Sequence, residues 1–282
     1  CHCGIYGSPI QLKTAIAKSC NTYFSNTYKR IVEKDKNPTE GLNTWHDHVA
    51  SFGLGDFLGY DLPAGQKGLI PDGNYYNSRY KYSWNGSTII SNAIGQGEIL
   101  TTPIQLANFT AAIANRGYFF TPHIVKKIDT AFIDNPDYTE AKKTTIDKQH
   151  FTPVIEAMHE VFKTGTGKWS QVKDIDICGK TGTAENFIIV DGIKEQLKDH
   201  SILVAFAPKD NPKIAIAVFV ENGGYGSTIA APITSLMIEK YINGKISEKN
   251  KYRELNMLNM SLQEIYDKQI QKPLEKIASR TK

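Results

Sequence analysis

The first half of the chain carries hydrophobic residues at intervals of three and four positions. Over residues 10–31 this spacing predicts a helix, which begins at a Ser-Pro-Ile-Gln segment at 8–11. Serine suits the N-cap, proline the first helical position, and glutamine the position three residues after the cap. Thr-Pro-Ile-Gln at 102–105 repeats the pattern and predicts a second helix that ends near Gly117. A Thr-Pro pair at 152–153 introduces a third helix.

The second half changes to the spacing that is typical of strands. Residues 201–208 and 213–220 are short apolar runs rich in β-branched side chains, and the polar residues between them predict a β-hairpin. Residues 174–183 are a third candidate strand, and residues 230–241 have the apolar spacing of a helix that packs on the sheet. Residues 53–97 are rich in glycine, tyrosine and asparagine and predict loops with short elements. The predicted fold class is therefore α/β in the broad sense (α+β), an antiparallel sheet flanked by helices.

Beyond Gly244 the composition shifts to lysine, glutamate, asparagine and glutamine. We therefore predict one domain over residues 1–244 and a charged, helical C-terminal tail over residues 245–282. The interpretation we favour is a helix docked on its own domain, and the alternative is a helix that binds a partner. The apolar residues of the tail that fall near helical spacing are Leu258, Leu262, Ile265, Ile270, Leu274 and Ile277.

The composition is that of a globular chain able to bury a hydrophobic core. Of the 282 residues, 40% are hydrophobic and 22% are charged. The 33 basic and 29 acidic residues are spread along the chain and leave a net charge of only +4, which argues against a nucleic-acid-binding function. The sequence has no apolar run of 18 residues, and its four cysteines are too few for a disulfide framework.

One short segment carries the residue types of a catalytic cleft. It reads Gly-Lys-Thr-Gly-Thr at 179–183, and Lys-Thr-Gly is a motif of serine β-lactamases and penicillin-binding proteins. Lys180 supplies positive potential for a substrate carboxylate and can hold a nearby hydroxyl in a proton network. Gly182 removes a side chain where a substrate backbone must lie, and Thr183 offers its hydroxyl to a carboxylate and its N–H to an oxyanion. Taken alone, the segment also suits an ordinary turn.

Further segments accompany it in a fixed order. Ser19, Cys20 and Asn21 form an S-x-N motif on a helix or at its break. With the other segments it resembles the transpeptidase domain of class B penicillin-binding proteins, specifically the elongation-type penicillin-binding protein 2 family, over roughly residues 8–242. The segments that carry the resemblance are SCNTYF at 19–24, FGLG at 52–55 with GYDLP at 59–63, IGQG at 94–97 with TPIQLA at 102–107, GKTGTA at 179–184, FAP at 206–208 and VENGG at 220–224.

The resemblance implies a D-alanyl-D-alanine transpeptidase that cross-links peptidoglycan stem peptides and is acylated by β-lactams. In the family, the serine of an S-x-x-K motif attacks the penultimate D-Ala carbonyl, with the lysine of that motif as its base, and a second stem-peptide amine resolves the acyl-enzyme. By position, Ser19 would relay a proton toward the leaving amine, and Asn21 would hydrogen-bond the substrate amide. Lys180 would support that relay and bind the carboxylate. Thr181 and Thr183 would line the strand along which the substrate extends, with the Thr183 N–H as an oxyanion donor.

The chain departs from the family in one respect. In the family the S-x-x-K helix precedes S-x-N, yet none of the 18 residues before Ser19 forms that motif. Three matches begin later, at Ser78, Ser170 and Ser279, in polar segments or at the terminus and in the wrong order, so we do not expect any of them to be the nucleophile. Because the chain opens at Cys1 without a methionine, we expect the nucleophile upstream. The parent protein is then an enzyme, and this polypeptide alone is expected to form no covalent adduct with penicillin.

The resemblance also implies a location and partners. The parent protein is expected in the inner membrane with its catalytic domain on the periplasmic side and its anchor outside this chain. The implied partners are peptidoglycan stem peptides, the lipid-linked precursor, β-lactams, a SEDS-family glycosyltransferase and proteins of the elongation complex, with no nucleic acid.

One alternative function is that of a non-catalytic penicillin-binding-like sensor or partner-binding module, which a missing nucleophile would suit. Another is a secreted serine β-lactamase, which the lack of a recognisable deacylating acid at a matching position disfavours.

The N-terminal cysteines leave three alternatives open. Cys1, His2, Cys3 and Cys20 bring three thiols and an imidazole into one region. They would bind a structural Zn²⁺ if the fold brings them together, form a disulfide in an oxidising compartment, or stay as free or buried thiols. Their spacing is not a standard zinc-finger pattern, and the family chemistry requires no cofactor. Cys178, beside the Lys-Thr-Gly segment, is expected to be a small hydrophobic core residue.

Overall fold

The structure is a computed structural model that describes residues 3–34, 37–132, 134–190, 192–263 and 267. Its α-helices are α1 (Leu12–Ala17), α2 (Asn21–Val32), α3 (Pro38–Ala50), α4 (Gly73–Tyr80), α5 (Pro103–Ala114), α6 (Pro136–Thr139), α7 (Phe151–Lys163), α8 (Ala230–Asn243) and α9 (Lys251–Leu258). Its strands are β1 (Tyr118–Phe119), β2 (Lys127–Ile128), β3 (Ala131–Phe132), β4 (Lys142–Lys143), β5 (Cys178–Ala184), β6 (Phe187–Val190), β7 (Ile193–Gln196), β8 (His200–Ala207) and β9 (Ile214–Val220). Short 3-10 helices cover Cys3–Tyr6, Ile90–Ile94, Lys148–His150, Lys168–Ser170 and Glu248–Asn250.

The main sheet has three antiparallel strands in the order β5-β8-β9. The predicted hairpin is confirmed, because β8 and β9 pair with Leu203 opposite Val218. β8 also pairs with β5, which places Lys180 opposite Val204. β5 stands at the end of the order, so one of its edges has no neighbouring strand in the described part of the chain. The predicted third strand begins later than residue 174, because Asp174 has a positive φ of 62° within a turn.

Helices cover this sheet and enclose the larger hydrophobic core. The core contains Ile155 and Val161 of α7, Leu203 and Phe206 of β8, and Ala230 of α8, all of them buried. Their hydrophobic side chains leave water together, which is the main stabilising contribution to such a fold. The antiparallel sheet flanked by helices agrees with the predicted fold class.

A second hydrophobic cluster lies beside this core, and we call it the helical cluster because most of its residues are on helices. Tyr28 of α2, Leu42 of α3 and Tyr76 of α4 are buried together with Trp84 and Ile89. Tyr76, Trp84 and Ile89 come from the stretch predicted as loops with short elements, so part of that stretch is buried in a core. The chain therefore builds a helical cluster on one side of the candidate site and the sheet on the other.

The predicted helix over residues 10–31 is two helices. α1 ends at Ala17 and α2 begins at Asn21. The capping box predicted at 8–11 is wrong, because α1 begins at Leu12 and its N-cap residue Gln11 makes no side-chain cap bond. Ile10 instead packs against the cluster of Cys3, Ala15 and Cys20, and Gln11 has an extended backbone.

The other two predicted helix starts agree more closely with the structure. Thr102 and Gln105 form the reciprocal capping box at the start of α5, which satisfies two backbone N–H groups that would otherwise lack partners. α7 begins at Phe151, one residue before the predicted Thr-Pro pair. The local pattern is therefore sufficient where neighbouring residues alone supply the cap.

The first part of the predicted tail contacts the domain. Glu239 of α8 is 1% exposed, and its carboxylate accepts hydrogen bonds from the Ser247 N–H at 3.2 Å and Asn250 Nδ2 at 2.9 Å. Arg253 of α9 donates to the Trp169 carbonyl at 2.9 Å. The predicted apolar positions from 265 onward lie outside the described residues. None of the helices within the described ranges is long and apolar enough to cross a bilayer.

Candidate active site

Ser19 lies in the break between α1 and α2. Its φ of 57° is in the left-handed region, which few residues other than glycine adopt. The Cys20 N–H donates to the Ala15 carbonyl at 2.8 Å, which closes α1 in a tight turn, and Asn21 then begins α2. In a continuous helix two such positions would diverge by about 200° around the axis. The break therefore removes the geometric objection to Ser19 and Asn21 serving one site.

Lys180 brings the sheet to this break. Its Nζ donates to Ser19 Oγ at 2.8 Å and to the Thr181 carbonyl at 2.7 Å. Burial lowers the pKa of Lys180 to about 8, because an ammonium group loses hydration when it is enclosed. Lys180 and Ser19 thus form a hydrogen-bonded pair in which the lysine is the donor.

The Thr181 hydroxyl shares a hydrogen bond of 2.6 Å with the Thr166 hydroxyl. The Thr166 N–H donates to the Ala17 carbonyl at 3.2 Å, and Lys18 Nζ donates to the Thr164 carbonyl. The segment after α7 thus connects the end of α1 to β5. Sequence reasoning missed Thr166, because it lies outside every segment that carries the family resemblance.

Thr183 contacts two segments that sequence reasoning did not connect to it. Its carbonyl accepts a hydrogen bond from Gln96 Nε2 at 3.1 Å, and its hydroxyl accepts one from the Gly226 N–H at 3.4 Å. A Cβ built on Gly226 would collide with the carbonyl oxygens of Gly182 and Ile202. A Cβ built on Gly182 itself would lie 3.2 Å from the Cβ of Ile202, so a side chain there would press against β8. Gln96 belongs to the IGQG segment, which carries part of the family resemblance, but sequence reasoning assigned it no role.

Of the three alternatives for the N-terminal cysteines, the structure has the disulfide. Cys3 and Cys20 form a disulfide, which ties the 3-10 helix at Cys3–Tyr6 to the residue between Ser19 and Asn21. Within the described ranges no group of three or more histidine, cysteine or acidic side chains could hold a metal ion, so the structural zinc finds no support there. Cys1 and His2 lie outside the described residues. Cys178 is buried in the core, and burial raises the pKa of its thiol to about 12.

Two of the three later S-x-x-K matches fall within the described residues. Ser78 is at the end of α4 and donates to the Tyr75 carbonyl at 2.8 Å. Ser170 is only 2% exposed, so its hydroxyl is covered from solvent. Ser279 lies outside the described residues. A nucleophile needs an exposed and free hydroxyl. Ser78 is exposed but its hydroxyl is hydrogen-bonded, and Ser170 is buried.

Comparisons with known proteins identify the family of the chain. The family model of the penicillin binding protein transpeptidase domain matches residues 4–239. Peptidoglycan D,D-transpeptidase MrdA of Acinetobacter baumannii is 33% identical over 231 residues, which are 78% of this chain and 33% of that relative. The chain spans about a third of the length of the curated relatives that it matches first.

Solved structures have the same fold. The crystal structure of Pseudomonas aeruginosa PBP2 in complex with WCK 5153 matches with a TM-score of 0.69 and 29% identity, over 85% of this chain and 51% of that one. The complex between PBP2 and MreC from Helicobacter pylori matches with a TM-score of 0.65 and 28% identity, over 83% of this chain and 40% of that one.

Proposed function

The chain belongs to the penicillin-binding protein transpeptidase domain family, and from that premise we propose that its parent protein is a peptidoglycan D,D-transpeptidase of the penicillin-binding protein 2 type. The observation that carries the proposal is the hydrogen bond of 2.8 Å between Lys180 Nζ and Ser19 Oγ. It brings together S-x-N and Lys-Thr-Gly, which are two of the three motifs that the family reaction uses.

The proposed reaction is acyl transfer in two steps. A serine oxygen bonds to the penultimate D-Ala carbonyl carbon, the bond to the terminal D-Ala nitrogen breaks, and that amine leaves with a proton. An amine of a second stem peptide then attacks the ester, which forms the cross-link and returns the proton to the serine. A β-lactam stops the cycle after the first step because its leaving amine stays tethered to the acyl group.

The residues of this chain would manage protons and charge. Ser19, held by Lys180, relays the proton to the leaving amine, and general acid catalysis of this kind contributes about 10²- to 10⁴-fold in rate. The Thr183 N–H donates to the developing oxyanion, and the Asn21 amide hydrogen-bonds the substrate amide. Lys180, with the hydroxyl of Thr183, binds the terminal carboxylate, and the low dielectric of a half-buried site strengthens that attraction.

The nucleophile would come from a segment of the parent protein that precedes Cys1. The family order and the lack of S-x-x-K before Ser19 support this. Mass spectrometry after incubation with a labelled penicillin tests it: the full-length parent gains one acyl group, and the present chain gains none. An adduct on the present chain would contradict the location. A complete parent without S-x-x-K upstream of Ser19 would favour the non-catalytic module instead.

We place the domain over residues 1–244 in the periplasm, attached through an anchor outside this chain. The Cys3–Cys20 disulfide supports this location, because structural disulfides persist in oxidising compartments.

Elongation-complex proteins and a SEDS-family glycosyltransferase are the proposed partners, and the similar PBP2 that binds MreC supports the former. Affinity purification of the parent from crosslinked cells tests the partners, and absence of both classes contradicts them.

A further inference from the structure

Two side-chain donors form hydrogen bonds with carbonyl groups along the open edge of β5. Thr181 and Thr183 are two positions apart, so their carbonyls point toward the same edge of the strand. The Thr181 carbonyl accepts from Lys180 Nζ at 2.7 Å, and the Thr183 carbonyl accepts from Gln96 Nε2 at 3.1 Å. Side chains bond there because β8 uses the other edge. The outward carbonyls of Thr181 and Thr183 are therefore both occupied in the free protein.

Gln96 reaches the strand from the helical cluster. It follows the 3-10 helix Ile90–Ile94 and lies between Gly95 and Gly97, whose φ values are 72° and 71°. Only glycine adopts this left-handed backbone without strain. The Gln96 N–H is fixed to the Ser91 carbonyl at 3.1 Å, so the backbone is held while the half-buried side chain crosses to the sheet. The side chain can leave Thr183 without any change in the backbone of this turn.

An extended substrate needs the same carbonyl. In an antiparallel ladder, every second pair of facing residues exchanges both of its backbone hydrogen bonds. If the Thr183 N–H donates to the reacting carbonyl, as in the proposed function on which this step rests, then the N–H of that same substrate residue faces the Thr183 carbonyl. Peptides that add to a sheet edge are recognised through such pairs. Gln96 Nε2 occupies the position of this substrate N–H.

We propose that Gln96 is a specificity-determining positioning residue that covers the Thr183 carbonyl until a substrate N–H displaces it. Ligands with an amide N–H next to the reacting carbonyl regain the hydrogen bond that Gln96 gives up. Ligands without that N–H leave Gln96 in place. Gln96 thus keeps an open strand edge from pairing with unrelated extended chains, which is a hazard of such edges.

The test compares two β-lactams on the full-length parent protein. Benzylpenicillin carries an amide N–H beside its ring carbonyl, and a carbapenem carries a hydroxyethyl group there. Gln96→Met keeps the size of the side chain and removes the donor, and Gln96→Ala removes both in case the longer side chain disturbs folding. Gln66→Met, at an exposed glutamine, is the matched control. The second-order rate constants of acylation are measured for each protein with both ligands.

We expect Gln96→Met and Gln96→Ala to raise the rate constant for benzylpenicillin relative to the carbapenem by about 2- to 10-fold, the usual worth of one hydrogen bond. The control leaves that ratio unchanged. An unchanged ratio in both Gln96 variants overturns the proposal, because the carbonyl then accepts Gln96 and substrate together through its two lone pairs. Equal loss with both ligands also overturns it and indicates a structural role. Failure of the unmodified parent to react with either ligand would instead refute the transpeptidase function and this proposal with it.

Discussion

Lys180 Nζ lies 2.8 Å from Ser19 Oγ, although the two residues are 161 positions apart in the chain. The lysine belongs to β5 and the serine to the break between α1 and α2. The hydroxyl accepts from the ammonium group, which leaves the hydroxyl proton free to point elsewhere in the cleft. The two residues thus form the first part of a path along which a proton can move.

Replacing Ser19 tests the proton relay. In the full-length parent we expect Ser19→Ala to lower the acylation rate constant by about 10²- to 10⁴-fold, because no hydroxyl then connects Lys180 to the leaving amine. Stopped-flow or gel-based labelling with a fluorescent penicillin measures the rate. Ser25→Ala, on the following helix α2, is the matched control and keeps the rate. A Ser19→Ala rate within twofold of the unmodified protein contradicts the relay.

The pKa of Lys180 predicts a pH dependence of acylation. Because that pKa is lowered to about 8 by burial, the ammonium charge that attracts a substrate carboxylate is lost as the pH rises through about 8. The second-order rate constant reports ionisation of the free protein, so it should fall over that interval. Lys180→Arg keeps its charge, and its profile should lack this fall even if its absolute rate is low. The prediction fails if both proteins show the same profile.

The same pKa also predicts the sign of a stability change. The unfolded chain has the ordinary lysine pKa of 10.5 and holds the proton more tightly than the folded protein does. The free energy of unfolding should therefore rise between about pH 8 and pH 10.5. Urea unfolding of this chain and of Lys180→Met over that interval measures the Lys180 contribution as the difference between their slopes. A steeper rise in the variant would reverse the assigned sign.

Gly226 tests the close approach behind β5. A methyl group there meets the carbonyl oxygens of Gly182 and Ile202, which are backbone atoms and cannot rotate away. We expect Gly226→Ala to lower the free energy of unfolding by about 1–3 kcal/mol, the usual cost of overpacking. Gly167→Ala is the control, because its methyl group would meet only side chains, the nearest at 3.4 Å. Urea unfolding compares the two, and equal losses would show that the approach is not tight.

Arg253 tests whether the start of the predicted tail belongs to the folded domain. Its guanidinium donates to the Trp169 carbonyl at 2.9 Å and to Ser235 Oγ at 3.2 Å, and the residue is 8% exposed. Arg253→Met keeps an apolar stem and loses these donors, so we expect unfolding to become easier by about 2 kcal/mol. Lys249→Met, at an exposed position, should change it by less than about 0.5 kcal/mol. A tail that does not contribute to the fold would make both changes negligible.

Several parts of this protein follow from the sequence because their causes are local. The capping box of Thr102 and Gln105 involves residues three positions apart, and the β8–β9 hairpin needs two apolar runs with a short turn. The order of the motif segments was sufficient to indicate the family. In each case the interacting groups are close in the chain, or the pattern itself is the evidence.

Other features depend on groups that are distant in the chain. The spacing over residues 10–31 is helical throughout, yet the chain breaks at Ser19, where Cys20 is bonded to Cys3 and α1 is tied to the segment after α7. Those contacts exist only after the core has packed, so periodicity could not show them. The choice of a disulfide among three cysteine alternatives has the same origin.

The sequence by itself determined the fold class, the family and the residue types of the site, since hydrophobic spacing, caps and motif order are properties of neighbouring residues. Only the tertiary structure decided which of those residues meet. Gln96 contacts Thr183 because the helical cluster and the sheet pack with the turn at Gln96 facing β5. Lys180 contacts Ser19 because packing brings the end of α1 next to β5. Such distances are set by packing across the whole domain, which no local pattern encodes.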